Sequence, residues 1–441
     1  MRITQISIDG LFGVFNYAIP FNLEDRITII HGPNGSGKTA LLRLLNGLFN
    51  SHTSELRAIP FNWFQVDFDN RSSIKVSKEN EGDEQSSLKF IPISINGASK
   101  PFILPKLSNK NLEEAFPLGM IEQVIPGLER IGPSTWRLIG SNETLYLEDI
   151  FDRYSSLLPS IRLKQEKDPQ WLRNLKKDVQ VRFIQTQRLL SFSDTSRSRR
   201  YDPPLPPAPA VENYSKDLAG QIRLKLTEYA ELSQSLDRTF PARLVRENSL
   251  DRLADTELRN RFEALEEKRS RLTVAGFLDK ENKDDFQVSE QMDDQTKGVF
   301  SVYVKDVEQK LGVFDDLLNK VDLLKKVVNQ RFRYKQMDIS KDAGFVFTTS
   351  NGQPLPPSGL SSGEQHELVL LYEMLFKMPA EALILIDEPE LSLHVAWQKQ
   401  FLGDLQQITE LSSFDVLLST HSPQIIHDRW DLTVELKGPI Q

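Results

Sequence analysis

The sequence predicts an α/β fold: a strand–loop–helix core, a small antiparallel β lobe beside it, and a helical insert separating the two halves of the core. Three observations predict it. Residues 26–30, RITII, form a short β-branched strand that runs through the glycine-rich stretch HGPNGSGKT into ALLRLL, which is apolar at helical spacing. Far downstream, ALILI at 382–386 and FDVLLS at 414–419 read as buried strands, each ending in polar residues. Between these halves, from Val211 to about Tyr334, apolar residues recur at helical spacing among dense charge.

The glycine-rich stretch, Gly32-Pro33-Asn34-Gly35-Ser36-Gly37-Lys38-Thr39, fits G-x-x-x-x-G-K-[ST] without mismatch and has the strand–loop–helix context of a phosphate loop. A triphosphate demands backbone N–H groups at close range, and Gly32, Gly35 and Gly37 allow the necessary curl. Lys38 is expected to reach the β- and γ-phosphates of ATP and the Thr39 hydroxyl to ligate Mg²⁺. The helix N-terminus adds partial positive charge.

The elements follow in order. Residues 2–9 and 14–21 read as strands joined by a turn at 10–13, and residues 51–60 as a loop. Residues 64–68 and 73–77 alternate around the turn Asp69-Asn70-Arg71, and 88–95 forms another strand. Asp67 and Asp69 read as solvated turn carboxylates. Residues 109–154 and 169–178 mix short helical patterns with turns. VQVRFI at 179–184 is a strand, and a glutamine beyond it suits Mg²⁺ ligation and γ-phosphate sensing. Gln187 is the choice and Gln185 the rival. Residues 191–210 form a proline-rich linker in which Arg197, Arg199 and Arg200 make a short basic cluster, read as a solvated linker or as a contact for nucleic acid or an acidic partner. In the insert, Pro241 is expected to interrupt the first helix, and no stretch sustains the heptads of a long coiled coil. Residues 335–339 and 344–349 resume β structure. The division predicted is 1–106 for the first half of the core with the β lobe, 107–190 for a mixed segment, 191–337 for linker and insert, and 338–441 for the second half of the core.

That second half carries four features. Residues 360–365, LSSGEQ, lead into an apolar helix over 366–376, where Ser361 and Gly363 offer a hydroxyl and backbone donors to an anion. The strand at 382–386 ends in Asp387, suited to Mg²⁺, and Glu388, suited as the general base for the attacking water. PELSLH at 389–394 turns into a helix. The strand at 414–419 ends in Thr420-His421-Ser422-Pro423, which brings His421 beside the γ-phosphate.

Phosphate loop, LSSGEQ, ILIDEPE, SLH and STHSPQ together resemble the ABC-type ATPase head, in the branch of RecF, the structural-maintenance-of-chromosomes proteins and the overcoming-lysogenization-defect proteins. The head, with LSQSLDRTFP at 232–241, looks most similar to stand-alone ATPases of bacterial anti-phage systems such as PARIS, Septu and some retrons. The resemblance implies that residues 32–39 are the Walker A loop, 360–365 the signature, Asp387 and Glu388 the Walker B pair, 390–394 the D-loop and His421 the switch histidine. It implies a homodimer or higher homo-oligomer with ATP sandwiched between protomers. The signature departs from LSGGQ, with Ser362 in place of glycine and Glu364 inserted before Gln365. The chain ends at Gln441, soon after His421, so a nuclease domain is not expected on it. A separate nuclease chain, of TOPRIM or HNH type, is the expected partner. The rivals are a RecF-like DNA-repair ATPase and a scaffold that binds ATP without turnover.

Composition bounds these readings. The 441 residues suffice for two or three domains. A net charge of −8 argues against nucleic-acid binding by the whole surface. The absence of cysteine excludes disulfides and thiolate chemistry and fits a cytoplasmic setting, with no membrane span expected.

Overall fold

The strand Ile27–His31 lies inside a five-stranded sheet whose members are all parallel, in the order Val181–Ile184, Leu383–Asp387, Asp415–Thr420, Ile27–His31, Thr433–Glu435. The computed structural model describes residues 1–80, 86–93, 100–104, 118–125, 127–138, 144–147, 150, 168–184, 190–191, 208–246, 255–279, 293–391 and 393–438. Two compact units make up the chain. One comprises Met1–Ala208 with Glu373–Gln441, the other Pro209–Tyr372.

In the first unit the three inner parallel strands are buried on both faces, which is why they read as apolar runs, while the edge strands Val181–Ile184 and Thr433–Glu435 are partly exposed. Register sets their polar ends side by side: Asp387 pairs with Ser419 and Ser419 with Ile30, while Thr420 and Glu435 flank His31. A six-stranded antiparallel sheet runs Phe15–Pro20, Ile3–Leu11, Trp63–Phe68, Ser73–Asn80, Ser86–Ile93, Phe102–Leu104. Its inner residues Ile6, Ile8, Phe64, Val66, Ile74 and Val76 share one core with the helix Lys38–Phe49 and with Leu385 and Leu417 of the parallel sheet. Sheet contact on two sides explains why that helix buries every residue but Thr39 and Arg43. Arg2 closes the core at one end, donating to both carboxylate oxygens of Asp415 at 2.9 and 2.6 Å.

Two segments here differ from expectation. Residues 53–58 are a helix, not a loop. His52 O would lie 2.9 Å from a Cβ on Gly47, so the short helix packs closely on the first, and Glu55 accepts from Asn46 at 3.0 Å. The strands Leu128–Gly132, Thr135–Leu138 and Thr144–Tyr146 form an antiparallel meander around the buried Trp136. Hairpin pairing overrides the short helical patterns there.

The second unit contains the helices Ala210–Arg246, Asp255–Val274, Asp294–Gly312 and Asp315–Arg331, the strands Lys335–Ser340, Gly344–Thr349 and Pro354–Leu355, and the helix Ser362–Tyr372. The first helix runs through Pro241 without a break. Proline gives no N–H to the carbonyl of Asp237, four residues back, and the same turn is tied by Arg243, which donates to Leu236 O at 2.8 Å and Thr239 Oγ1 at 3.2 Å. Asp306 holds the guanidinium in place. The helix Ser362–Tyr372 is fastened at its far end by Tyr372, stacked on Tyr214 at 4.8 Å.

Arg331 and Glu367 form an ion pair with both side chains 1% exposed. Burial pulls Arg331 down to about 10, so it stays charged at neutral pH. Breaking such a pair leaves a buried charge uncompensated. Glu367→Ala is therefore expected to cost about 3–5 kcal/mol in a denaturant titration. A loss below about 1 kcal/mol, the range of exposed pairs, contradicts the burial.

Candidate functional site

The loop from Gly32 to Thr39 leaves the C-terminal end of the strand Ile27–His31, where sheets of this kind bind their ligands. Pro33, Asn34 and Gly35 are exposed, whereas Ser36 and Lys38 are buried. Gly37 is left-handed at φ 91°, and a Cβ there would stand 2.5 Å from Leu11 Cδ2. At Gly32 a Cβ would stand 2.7 Å from Leu436 O. Gly32 is thus demanded by close packing on backbone and Gly37 by its left-handed conformation, independent of any ligand. Tyr17 props the loop from the side, its hydroxyl donating to Ser36 O at 3.0 Å and Lys437 O at 3.3 Å, and burial raises that phenol to about 12.

Lys38 turns back over the loop. Its Nζ donates to Gly32 O at 2.9 Å and Pro33 O at 3.1 Å, and stands 3.4 Å from His421 Nδ1. Nε2 of the same imidazole is 3.4 Å from Glu388 Oε1. An ammonium can only donate, so Nδ1 accepts and Nε2 carries the proton toward Glu388. Burial lowers the Lys38 pKa from its ordinary value, and Glu388, Asp387 and Glu390 act against that shift. The three residues Lys38, His421 and Glu388 therefore stand in one line, although they come from opposite ends of the chain.

Glu388 occupies the left-handed region at φ 46°, rare for a residue with a side chain. Its N–H donates to Ser419 O at 3.0 Å, which holds the turn at the strand end. Asp387 accepts from Ser419 Oγ. Glu390, in the next turn, accepts from Thr420 Oγ1 at 2.8 Å and from the His421 backbone N–H at 2.7 Å.

Ser361 and Gly363 lie in the other unit. Ser361 precedes the helix, where its N–H and Oγ each donate to Glu364 Oε2 at 2.8 Å, a capping box. Lys335 pairs with the same oxygen at 2.5 Å. Burial works against the charge of Glu364, yet the Lys335 and Ser361 donors hold its pKa below the ordinary carboxylate value. A Cβ on Gly363 would meet open space. Gln187, its rival Gln185 and the cluster Arg197–Arg200 lie outside the described residues.

The donor set fits Mg·ATP. Ser36 Oγ is buried without a hydrogen-bond partner among the described residues, and Lys38 spends its protons on loop carbonyls. Among the described residues no group of three or more His, Asp or Glu gathers as a metal cage. Thr39 and Asp387 suit Mg²⁺, which keeps waters and phosphate oxygens in its shell.

Sequence reasoning missed Tyr17, whose place in the hairpin gives no sign of its reach to the loop. It also missed Phe12, at φ 53° and 46% exposed beside Gly37. An aromatic in a hairpin turn was the available signal.

The family AAA_15, described as AAA ATPase domain, matches residues 1–426. No curated protein matches the chain. Among solved structures, the Smc head domain of Pyrococcus furiosus bound to the C-terminal domain of ScpA is 12% identical, covering 100% of this chain and 94% of that one at a TM-score of 0.35. The SMC head domain of Thermotoga maritima is 12% identical, covering 97% and 91% at a TM-score of 0.31. Among the described residues no helix is long and apolar enough to cross a membrane.

Proposed function

The chain belongs to the AAA ATPase domain family, AAA_15, and from that premise we propose that it is an ABC-type ATPase hydrolysing ATP to ADP and phosphate. The observation that carries this reading is the line Lys38–His421–Glu388 across the mouth of the phosphate loop. Bound Mg²⁺ would neutralise developing charge on the phosphates, held by Thr39 and Asp387, with Gln187 as a further ligand. Glu388 takes a proton from the attacking water. His421 faces the γ-phosphate, and residues 32–39 cradle the phosphates with backbone N–H groups. Phosphate release from ATP is expected to require Mg²⁺ and to stop on chelation. A wild type that binds ATP but releases no phosphate favours the scaffold reading instead.

We propose further that two copies close around the nucleotide, Ser361 and Gly363 of one capping the loop of the other. Support comes from the segment after Glu388, where the apolar side chains Leu391 and Val395 are 68% and 58% exposed. Control of a separate nuclease in anti-phage defence rests on the resemblance of LSSGEQ and LSQSLDRTFP alone. Co-purification of the chain with a nuclease from its native host tests it.

A further inference from the structure

We propose that Glu390 is a positioning residue that sets the aim of His421, so that turnover depends on it without its touching nucleotide or metal. This rests on the ATPase reading above. The His421 side chain stands at a strand end with 32% of its surface exposed. Polar ties hold its backbone. Glu390 Oε1 takes both Thr420 Oγ1 and the His421 N–H. Gln398 extends the frame, its Nε2 donating to Glu390 O at 3.2 Å and its Oε1 accepting from Ser422 Oγ at 3.1 Å. The Ser422 N–H donates to Thr420 Oγ1 at 2.9 Å. Three consecutive residues of the histidine turn are thereby tied to one short segment that begins two residues after Glu388. The histidine's two ring nitrogens meet Lys38 and Glu388 only if its backbone is held at this angle.

The bonding pattern makes the idea sharp. Both donors use the same carboxylate oxygen, and Glu390 Oε2 is buried with no hydrogen bond among the described residues. The geometry therefore asks for an acceptor at Oε1, not for a negative charge. Glutamine can supply that acceptor and alanine cannot.

The test is steady-state ATP hydrolysis by the full chain in a double-mutant cycle with His421→Ala. Glu390→Ala is expected to lower kcat about 10-fold or more with KM for ATP changed less than about twofold, the mark of an interaction used only in turnover. Glu390→Gln is expected to recover most of that loss. In the His421→Ala background, Glu390→Ala is expected to add less than about twofold, because the histidine it aims is gone and its remaining effect on Lys38 is shared with Glu388 and Asp387. Should Glu390→Ala fail to fold, Thr420→Val removes one donor; a kcat loss of about threefold, silent without His421, is then expected. Multiplicative losses in the double variant overturn the inference, as does a Glu390→Gln enzyme as slow as the alanine variant. A wild type that releases no phosphate overturns the ATPase reading and this inference together.

Discussion

Lys38→Ala is expected to weaken ATP binding by about 10²–10⁴-fold, the equivalent of losing two charge-assisted hydrogen bonds at about 1.5–3 kcal/mol each. The lysine is 4% exposed and already aimed along the loop, so no ordering cost offsets its contribution. Its removal does more than delete a donor. Glu388, Asp387 and Glu390 all act electrostatically on this ammonium. Without it their charge faces the triphosphate unopposed. Equilibrium titration with a fluorescent ATP analogue measures the effect. A variant that retains ATP within about threefold of wild type removes the basis for the whole site.

Glu388→Gln is expected to lower kcat by about 10²–10⁴-fold while nucleotide stays bound, the range for loss of a general base. The substitution keeps shape and leaves an oxygen near His421, so the loop and its lysine are undisturbed. Trapped in the bound state, the protein is expected to accumulate the ATP-held assembly, visible as a mass increase by light scattering. Unchanged phosphate release moves the base to another residue. The left-handed backbone at Glu388, a conformation that costs about 1–3 kcal/mol, is retained at a position where strain serves aim.

The site was legible where chemistry restricts the residue type. Gly37 and Lys38 have few substitutes, and a buried strand ending in Asp387-Glu388 is short enough to read without its neighbours. Register was not legible: that Thr420 would stand beside His31, with Ser419 against Asp387, depends on pairing between segments far apart in sequence. The same blindness explains the fold differences. Trp136 looks like part of a mixed segment until the hairpins that bury it are known. Pro241 reads as a break because the ties that brace its turn, from Arg243 to Leu236 O and to Asp306, join side chains whose placement spacing does not show. Glu390 shows its reach to the His421 N–H only in three dimensions.

The position of Ile27–His31 between Asp415–Thr420 and Thr433–Glu435 has a consequence for biosynthesis. Nearly four hundred residues must be translated before this strand meets a sheet neighbour, roughly 20–80 s at 5–20 residues per second. Throughout that interval Ile27, Ile29 and Ile30, each 0% exposed in the finished fold, have no strand beside them. The nascent chain therefore carries a sticky, unpaired β segment on the ribosome for most of its elongation, and holdase chaperones are expected to engage it near the N-terminus until the last strands emerge.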